Sequence, residues 1–180
     1  MSGFGVRQFS LTLMHRMKDL NADRVEDALK EMGASRAELR EAHTLWMKRA
    51  YSRTAPQGLN AFRLALGPPA HEGTRQFGDL TCKVCQWKLP FWPGLVYEVL
   101  VGPDRSVWNQ WFVRQGAPKP IAFEDLTPWS CVLADVGASF ADAEHVEGAA
   151  PQHWGVDFTH EGRAYRARFV YGLLQRVDPR

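Results

Sequence analysis

The spacing of the apolar residues changes once along this 180-residue chain, near residue 79, and that change limits the folds the chain can adopt. Before it, apolar residues recur every three or four positions among good helix formers, which is the spacing of amphipathic helices. After it, short aromatic and β-branched runs alternate with turn residues, which is typical of antiparallel strands. The sequence therefore predicts an α+β protein, with an N-terminal three-helix segment followed by a strongly curved antiparallel β-sheet of five to seven strands.

The same change predicts three segments. They are a helical segment at residues 1–54, a connector at 55–78 punctuated by Pro and Gly, and an antiparallel β domain at 79–180 that holds six of the seven tryptophans. LVYEVLVG, PDR and SVWNQWFV form the strongest hairpin signal. HWGVDFT and RAYRARFVYGLLQRV are predicted as the last pair of strands, and PIAFEDL and SCVLADV as weaker ones, although Thr127-Pro128 is also an acceptable helix start.

The amino-acid composition excludes several classes of protein. Hydrophobic residues make up 45% of the chain and charged residues 23%, which is ordinary globular usage and argues against a disordered or coiled-coil protein. Three cysteines and an N-terminus without the pattern of an export signal predict a reducing compartment, so we expect a cytoplasmic protein, bacterial or phage-like. No apolar run approaches the roughly 18 residues of a membrane-spanning helix, and we expect no membrane partner.

The stretch EMGASRAEL, residues 31–39, specifies a corner between two helices. Gly33 is a helix C-cap residue, while Ser35 and Glu38 have the spacing of a capping box that starts the next helix. The corner resembles the helix-turn-helix pattern of bacterial repressors and sigma factors, although Leu29 occupies the position where that pattern has a small residue. The matching positions are Met32, Gly33, Ala34, Ser35, Arg36 and Leu39.

The resemblance covers about 25 residues and implies that the helix from Ser35 lies in the major groove of DNA. It then places three side chains near base edges, Arg36, Arg40 and His43, and two near phosphate, Lys48 and Arg49. The same Gly-small-Ser sequence also joins packed helices in proteins that bind no DNA. DNA therefore remains one alternative partner, and the net charge of +2 does not decide between the two.

Cys82 and Cys85 have the Cys-x-x-Cys spacing of zinc and dithiol sites. If DLTCKVCQWKL is one strand, the two side chains point to opposite faces, and no second close pair of ligands is present in the sequence. We therefore expect two buried thiols, and no metal or cofactor. Cys131 in TPWSCVLADV is a candidate nucleophile, but no local signature accompanies it.

The aromatic side chains of the β domain are the candidates for binding a protein or ligand. In the strand from Ser106 to Val113, Trp108 and Phe112 share one face and Trp111 lies on the other, so both faces are aromatic. The candidate binding residues are Trp92, Trp108, Trp111, Trp129, Arg166 and Arg168. A sheet covered on both faces is the alternative explanation.

These patterns favour binding over catalysis. They predict a small regulatory or adaptor protein whose β domain binds a protein or ligand partner and whose helical segment contacts DNA in one alternative. Two more functions fit the same patterns, namely a pure protein-interaction module, such as an inhibitor or chaperone, and an enzyme with an unrecognised active site in the β domain. No family that covers the chain is recognised, and the oligomeric state does not follow from the sequence.

Overall fold

The structure, a computed structural model, describes residues 3–180. This part of the chain holds five α-helices and two four-stranded antiparallel sheets, so the α+β class is confirmed. The helices are α1 Val6–Met17, α2 Ala22–Met32, α3 Arg36–Ala50, α4 Leu59–Leu66 and α5 Leu133–Ser139. The strands are β1 His71–Phe77, β2 Leu80–Trp87, β3 Leu95–Val101, β4 Val107–Arg114, β5 Glu144–Glu147, β6 His153–His160, β7 Arg163–Val170 and β8 Leu173–Pro179.

The prediction of a single sheet of five to seven strands is wrong. The strands form two sheets, in the orders β1-β2-β3-β4 and β5-β6-β7-β8. Between β4 and β5 the chain leaves the first sheet, runs through a short 3-10 helix at Phe123–Asp125 and then forms α5. PIAFEDL and the residues of α5 are therefore not strands, and Val132 makes only an isolated bridge to Leu173.

The predicted long final strand is two strands. RAYRARFVYGLLQRV divides into β7 and β8 at Tyr171 and Gly172, whose φ angles are 50° and 71°. Two consecutive residues with positive φ are the signature of a type I′ turn, which matches the right-handed twist of paired strands. Apolar residues continue on both sides of this turn. The sequence pattern therefore does not reveal where β7 ends and β8 begins.

The corner between α2 and α3 has the predicted local geometry. Gly33 is left-handed (φ 58°), and the Ala34 amide donates to the Leu29 carbonyl over 2.8 Å. Ser35 and Glu38 form the capping box, with the Glu38 carboxylate 2.8 Å from the Ser35 amide. Both helix ends are thus satisfied by neighbouring residues.

A fourth helix, α4, follows the three predicted ones. Both α4 and β1 lie within the predicted connector 55–78. The main core lies between α1 to α4 and the first sheet, where Phe9 packs against Phe62 and Tyr97. A second core lies between α5, the 3-10 helix and the second sheet, around Phe158 and Phe169. The division into a helical segment at 1–54, a connector at 55–78 and a β domain at 79–180 stays a prediction.

Candidate functional site

The face of the first sheet that points away from the helices carries a polar row in an otherwise apolar surface. Tyr97 and other residues of β3 at odd positions belong to the helix-side core, so even positions face outward. The strand register places Gln86, Glu98 and Trp111 side by side on that outer face. The outer face of the first sheet is the framework of the candidate site.

Glu98 is fully buried, yet each of its carboxylate oxygens has partners. Arg75 donates to both oxygens over 2.8 and 3.0 Å, Gln86 donates over 2.7 Å, and the indole of Trp111 donates over 3.0 Å. Burial opposes ionisation of this carboxyl, but the hydrogen bonds outweigh it and hold its pKa below the ordinary value. Glu98 thereby fixes the Trp111 ring at one edge of the sheet.

Trp111 faces Trp154 of β6 across the junction of the two sheets. The ring centroids are 5.7 Å apart and the planes are inclined by 60°. Beside them lies a groove with a volume of about 240 Å³. Its walls are formed by Trp111, Val113, Leu133, Ala134, His145 and Trp154. We call this concavity the Trp111–Trp154 groove.

The walls of the groove are held by a close approach of backbones. The Phe112 amide donates to the Tyr171 carbonyl over 2.6 Å. A β-carbon added to Gly172 would lie 2.8 Å from the Phe112 carbonyl oxygen, a distance that real side chains do not adopt. Gly172 is therefore required both for the positive φ of the turn and for the contact between the sheets.

An ion pair between a partly buried arginine and a fully buried aspartate also joins β4 to α5. Arg114 at the end of β4 donates from Nε and Nη2 to the carboxylate of Asp135, with Nη2 2.7 Å from Oδ2. The amides of Lys119 and Val132 donate to the same carboxylate over 2.7 and 3.1 Å. Burial disfavours the charge on Asp135, but the Arg114 guanidinium and the two amides lower its pKa overall. The groove is therefore formed by rigid elements.

The structure separates the predicted binding tryptophans. Trp111 lies in the groove, and its neighbour Trp154 was not among the predicted residues. Trp92 and Trp129 pack against each other elsewhere, with centroids 5.5 Å apart. Trp108 is 44% exposed at the tip of the β3–β4 hairpin, where it donates to Asp104. The alternation in HWGVDFT predicts that Trp154 shares a face with Phe158, but nothing local predicts Trp111 as its neighbour.

The two predicted arginines of the second sheet belong to ion pairs on its outer face. Arg166 donates to both oxygens of Asp157 over 2.6 and 2.7 Å, and Arg168 lies 2.6 Å from Asp178. Arg180 also contacts Asp157, over 2.6 Å. These charges do not line the Trp111–Trp154 groove.

The predicted DNA-contacting side chains have mixed surroundings. Arg36 is paired with Glu26 over 2.6 Å, and the Arg49 guanidinium lies 4.8 Å from the centre of the Phe4 ring. His43 is half-buried and stacked on His15, with ring centroids 4.0 Å apart. Within residues 3–180, Arg40 and Lys48 are exposed and form no ion pair with the rest of the chain. This arrangement gives DNA binding no support beyond the sequence pattern.

The cysteines occupy separate apolar environments. Cys82 packs with Val84 and Leu100 on the outer face, while Cys85 lies in the helix-side core, so they face opposite ways as predicted. Burial raises the pKa of Cys85, and it raises that of Cys131 to about 12. A thiol with so high a pKa is a poor nucleophile at neutral pH. In the described part of the chain, no three His, Cys, Asp or Glu residues are grouped as metal ligands would be.

The comparisons with known proteins identify no family. No protein-family model matches the chain, and no curated protein matches its sequence. A partial structural similarity is found to a Streptococcus mutans crystal structure described as a candidate β-lactamase inhibitor protein. It has 12% sequence identity and a TM-score of 0.31, over 73% of this chain and 86% of that chain. A similarity of this size supports no conclusion about function. Among the described residues, no helix is long and apolar enough to cross a membrane.

Proposed function

We propose that this chain is a protein-binding module of the regulatory or adaptor type. Its partner docks at the junction of the two sheets and inserts one apolar side chain into the Trp111–Trp154 groove. The observation that carries this proposal is the groove itself, an apolar concavity between two tryptophans that rigid elements hold in place.

The size of the groove favours a protein partner over a metabolite. Small-molecule sites usually enclose roughly 300–1,000 Å³. The groove has about 240 Å³, which suits one large side chain of a partner. Binding energy in protein complexes is concentrated in such anchors, where an apolar side chain fills a pocket lined by aromatic rings.

The surroundings of the groove resemble the organisation of an interface. Arg75 is 42% exposed and is linked to Trp111 by two hydrogen bonds, both of which Glu98 accepts. It supplies a polar group beside the apolar centre, where partner carbonyl or carboxylate oxygens can accept from it. Because Glu98 already satisfies the Trp111 indole, the ring needs no reorientation when a partner binds.

Photo-crosslinking tests this proposal. The photoreactive residue p-benzoylphenylalanine replaces Ala134, which is exposed and lines the groove. In cells of the source organism we expect one discrete covalent protein adduct, lost when Trp154→Ala is added. Trp108→Ala is the matched control, because it removes an exposed tryptophan outside the groove, and the adduct should persist. Absence of an adduct, or an adduct insensitive to Trp154→Ala, would disprove the proposed docking site.

A further inference from the structure

A second concavity lies where four separate segments of the chain meet, and it differs in chemistry from the groove. It has a volume of about 250 Å³ and shares no lining residue with the Trp111–Trp154 groove. Its lining includes Arg24 of α2, the β2–β3 loop and the loop before α5, together with Arg114 of β4. The main walls are Arg24, Phe91, Trp92, Pro93, Arg114 and Trp129. We call it the two-arginine pocket.

The charged lining of the two-arginine pocket is entirely positive. Arg24 and Arg114 contribute two guanidinium groups, and no acidic side chain lines the pocket. Arg24 uses Nη1 to contact Glu31 over 2.9 Å, and Arg114 uses Nε and Nη2 to contact Asp135. Within residues 3–180, Nη2 of Arg24 and Nη1 of Arg114 have no acceptor, so each guanidinium keeps one nitrogen that is not paired within the protein. Such donors favour a planar anionic group.

Two residues that line the pocket have unusual surroundings. Trp92 is 4% exposed, and its Nε1 is buried without an acceptor within residues 3–180. An unpaired buried donor is costly and is normally satisfied. Trp129 has a φ of 64°, which is strained for a bulky side chain. It is held there by hydrogen bonds to Leu174 and Gln175 of β8, and strain of this kind is concentrated at binding sites.

The walls of the pocket are aromatic and the cations are partly neutralised. The Arg24 guanidinium lies 4.4 Å from the centre of the Trp129 ring, so it is both stacked and fixed. Because Glu31 and Asp135 already pair with the two arginines, the two pairs carry no net charge, so the pocket suits a single negative charge better than a phosphate dianion. The planar fork of a guanidinium also matches a carboxylate.

We infer that the two-arginine pocket binds a small monoanionic carboxylate that carries an aromatic ring on a short aliphatic linker. The carboxylate accepts from Arg24 and Arg114, and the ring lies among Phe91, Trp92 and Pro93. This chemistry has two sources, a free arylalkanoic acid or the C-terminal aromatic residue of a peptide. The inference is independent of the proposed protein-binding groove.

Calorimetric titration of the purified chain tests the inference. Phenylacetate should bind with a dissociation constant of about 1 mM or tighter, and its uncharged analogue phenylacetamide at least about tenfold more weakly. N-acetylphenylalanine, compared with its amide, tests the peptide source, since a tighter complex than phenylacetate assigns the site to a chain terminus. Inorganic phosphate should bind more weakly than phenylacetate.

Arg24→Gln should weaken phenylacetate binding by at least about tenfold. The matched control is Arg36→Gln, which also removes a helical arginine paired with a glutamate but lies outside the pocket. Thermal unfolding without ligand establishes that both variants are folded. If Arg24→Gln does not fold, Arg24→Lys replaces it. Lysine keeps the charge but lacks the planar pair of N–H donors of the guanidinium, so it should still weaken binding. Equal binding of phenylacetate and phenylacetamide, no binding at about 10 mM, or unchanged binding by the folded Arg24 variant would overturn the inference.

Discussion

The stacked pair of His15 and His43 predicts that the chain loses stability in mild acid. The two rings join α1 to α3, with centroids 4.0 Å apart and planes inclined by 10°. Burial lowers the pKa of His15 to about 4, and the charges on His43 and Lys18 contribute further. The Nδ1 atoms of both rings are buried without a partner in the described chain. A proton added at either Nδ1 would therefore have no hydrogen-bond acceptor in the folded state. The variant His15→Phe keeps a stacked ring but removes the group that takes up the proton.

The expected loss of stability follows from the difference between the pKa of His15 in the unfolded chain and in the folded chain. The unfolded chain protonates His15 near its ordinary pKa of 6.5, whereas the folded chain does so near 4. Between these values the unfolded state binds more protons, so the stability contributed by neutral His15 is complete above pH 6.5 and falls as the pH approaches 4. At about pH 5 the loss is about 2 kcal/mol before screening, and solvent at this half-buried site reduces it to about 1 kcal/mol.

Urea unfolding at about pH 7.5 and about pH 5 measures the effect. The free energy of unfolding of the wild-type chain should fall more between these two values than that of His15→Phe, by about 1 kcal/mol. His71→Gln is the control, because it removes an exposed histidine from an edge strand and should keep the wild-type pH dependence. Carboxylates such as Glu98 titrate in all three proteins and cancel. Parallel pH dependence in the wild type and His15→Phe would show that His15 does not cause the loss of stability in acid.

Two further changes test the junction of the sheets. Asp135→Ala should destabilise the chain by about 3–5 kcal/mol in chemical unfolding, because it leaves a half-buried arginine and two backbone amides without their acceptor. Asp157→Ala removes an ion-paired aspartate from the outer face of the second sheet and should cost about 1 kcal/mol or less. Gly172→Ala should lower the melting temperature, since the left-handed backbone alone costs roughly 1–2 kcal/mol and the β-carbon would press on Phe112. An unchanged melting temperature would show that the sheets are not in close contact at Gly172.

The features that could be predicted from sequence are those specified by near neighbours. The α2–α3 corner depends on Gly33, Ser35 and Glu38, which lie within six positions of one another. The β3–β4 hairpin depends on two alternating runs around one short turn, and the structure confirms its pairing. Opposite orientations for Cys82 and Cys85 follow from the two-residue period of a strand.

The features that sequence reasoning missed depend on distant residues or on ambiguous local signals. The β1 strand is polar because it is an exposed edge, so its residues have the composition of a loop. Leu133–Ser139 forms a helix where a weak strand was predicted, because an apolar run of this length suits either element. Trp111 and Trp154 lie in different sheets and are more than forty residues apart in the sequence, so no local pattern predicts their contact.

The order of the strands has a consequence for how the chain acquires its structure. In both sheets every strand pairs with the strand that precedes or follows it in the sequence, so each ladder forms by closing a short hairpin. Hairpins of this kind shorten the conformational search, whereas the Phe112–Tyr171 contact requires two assembled ladders to meet. During synthesis we therefore expect the first four strands to pair on their helices while the ribosome is still adding the last four.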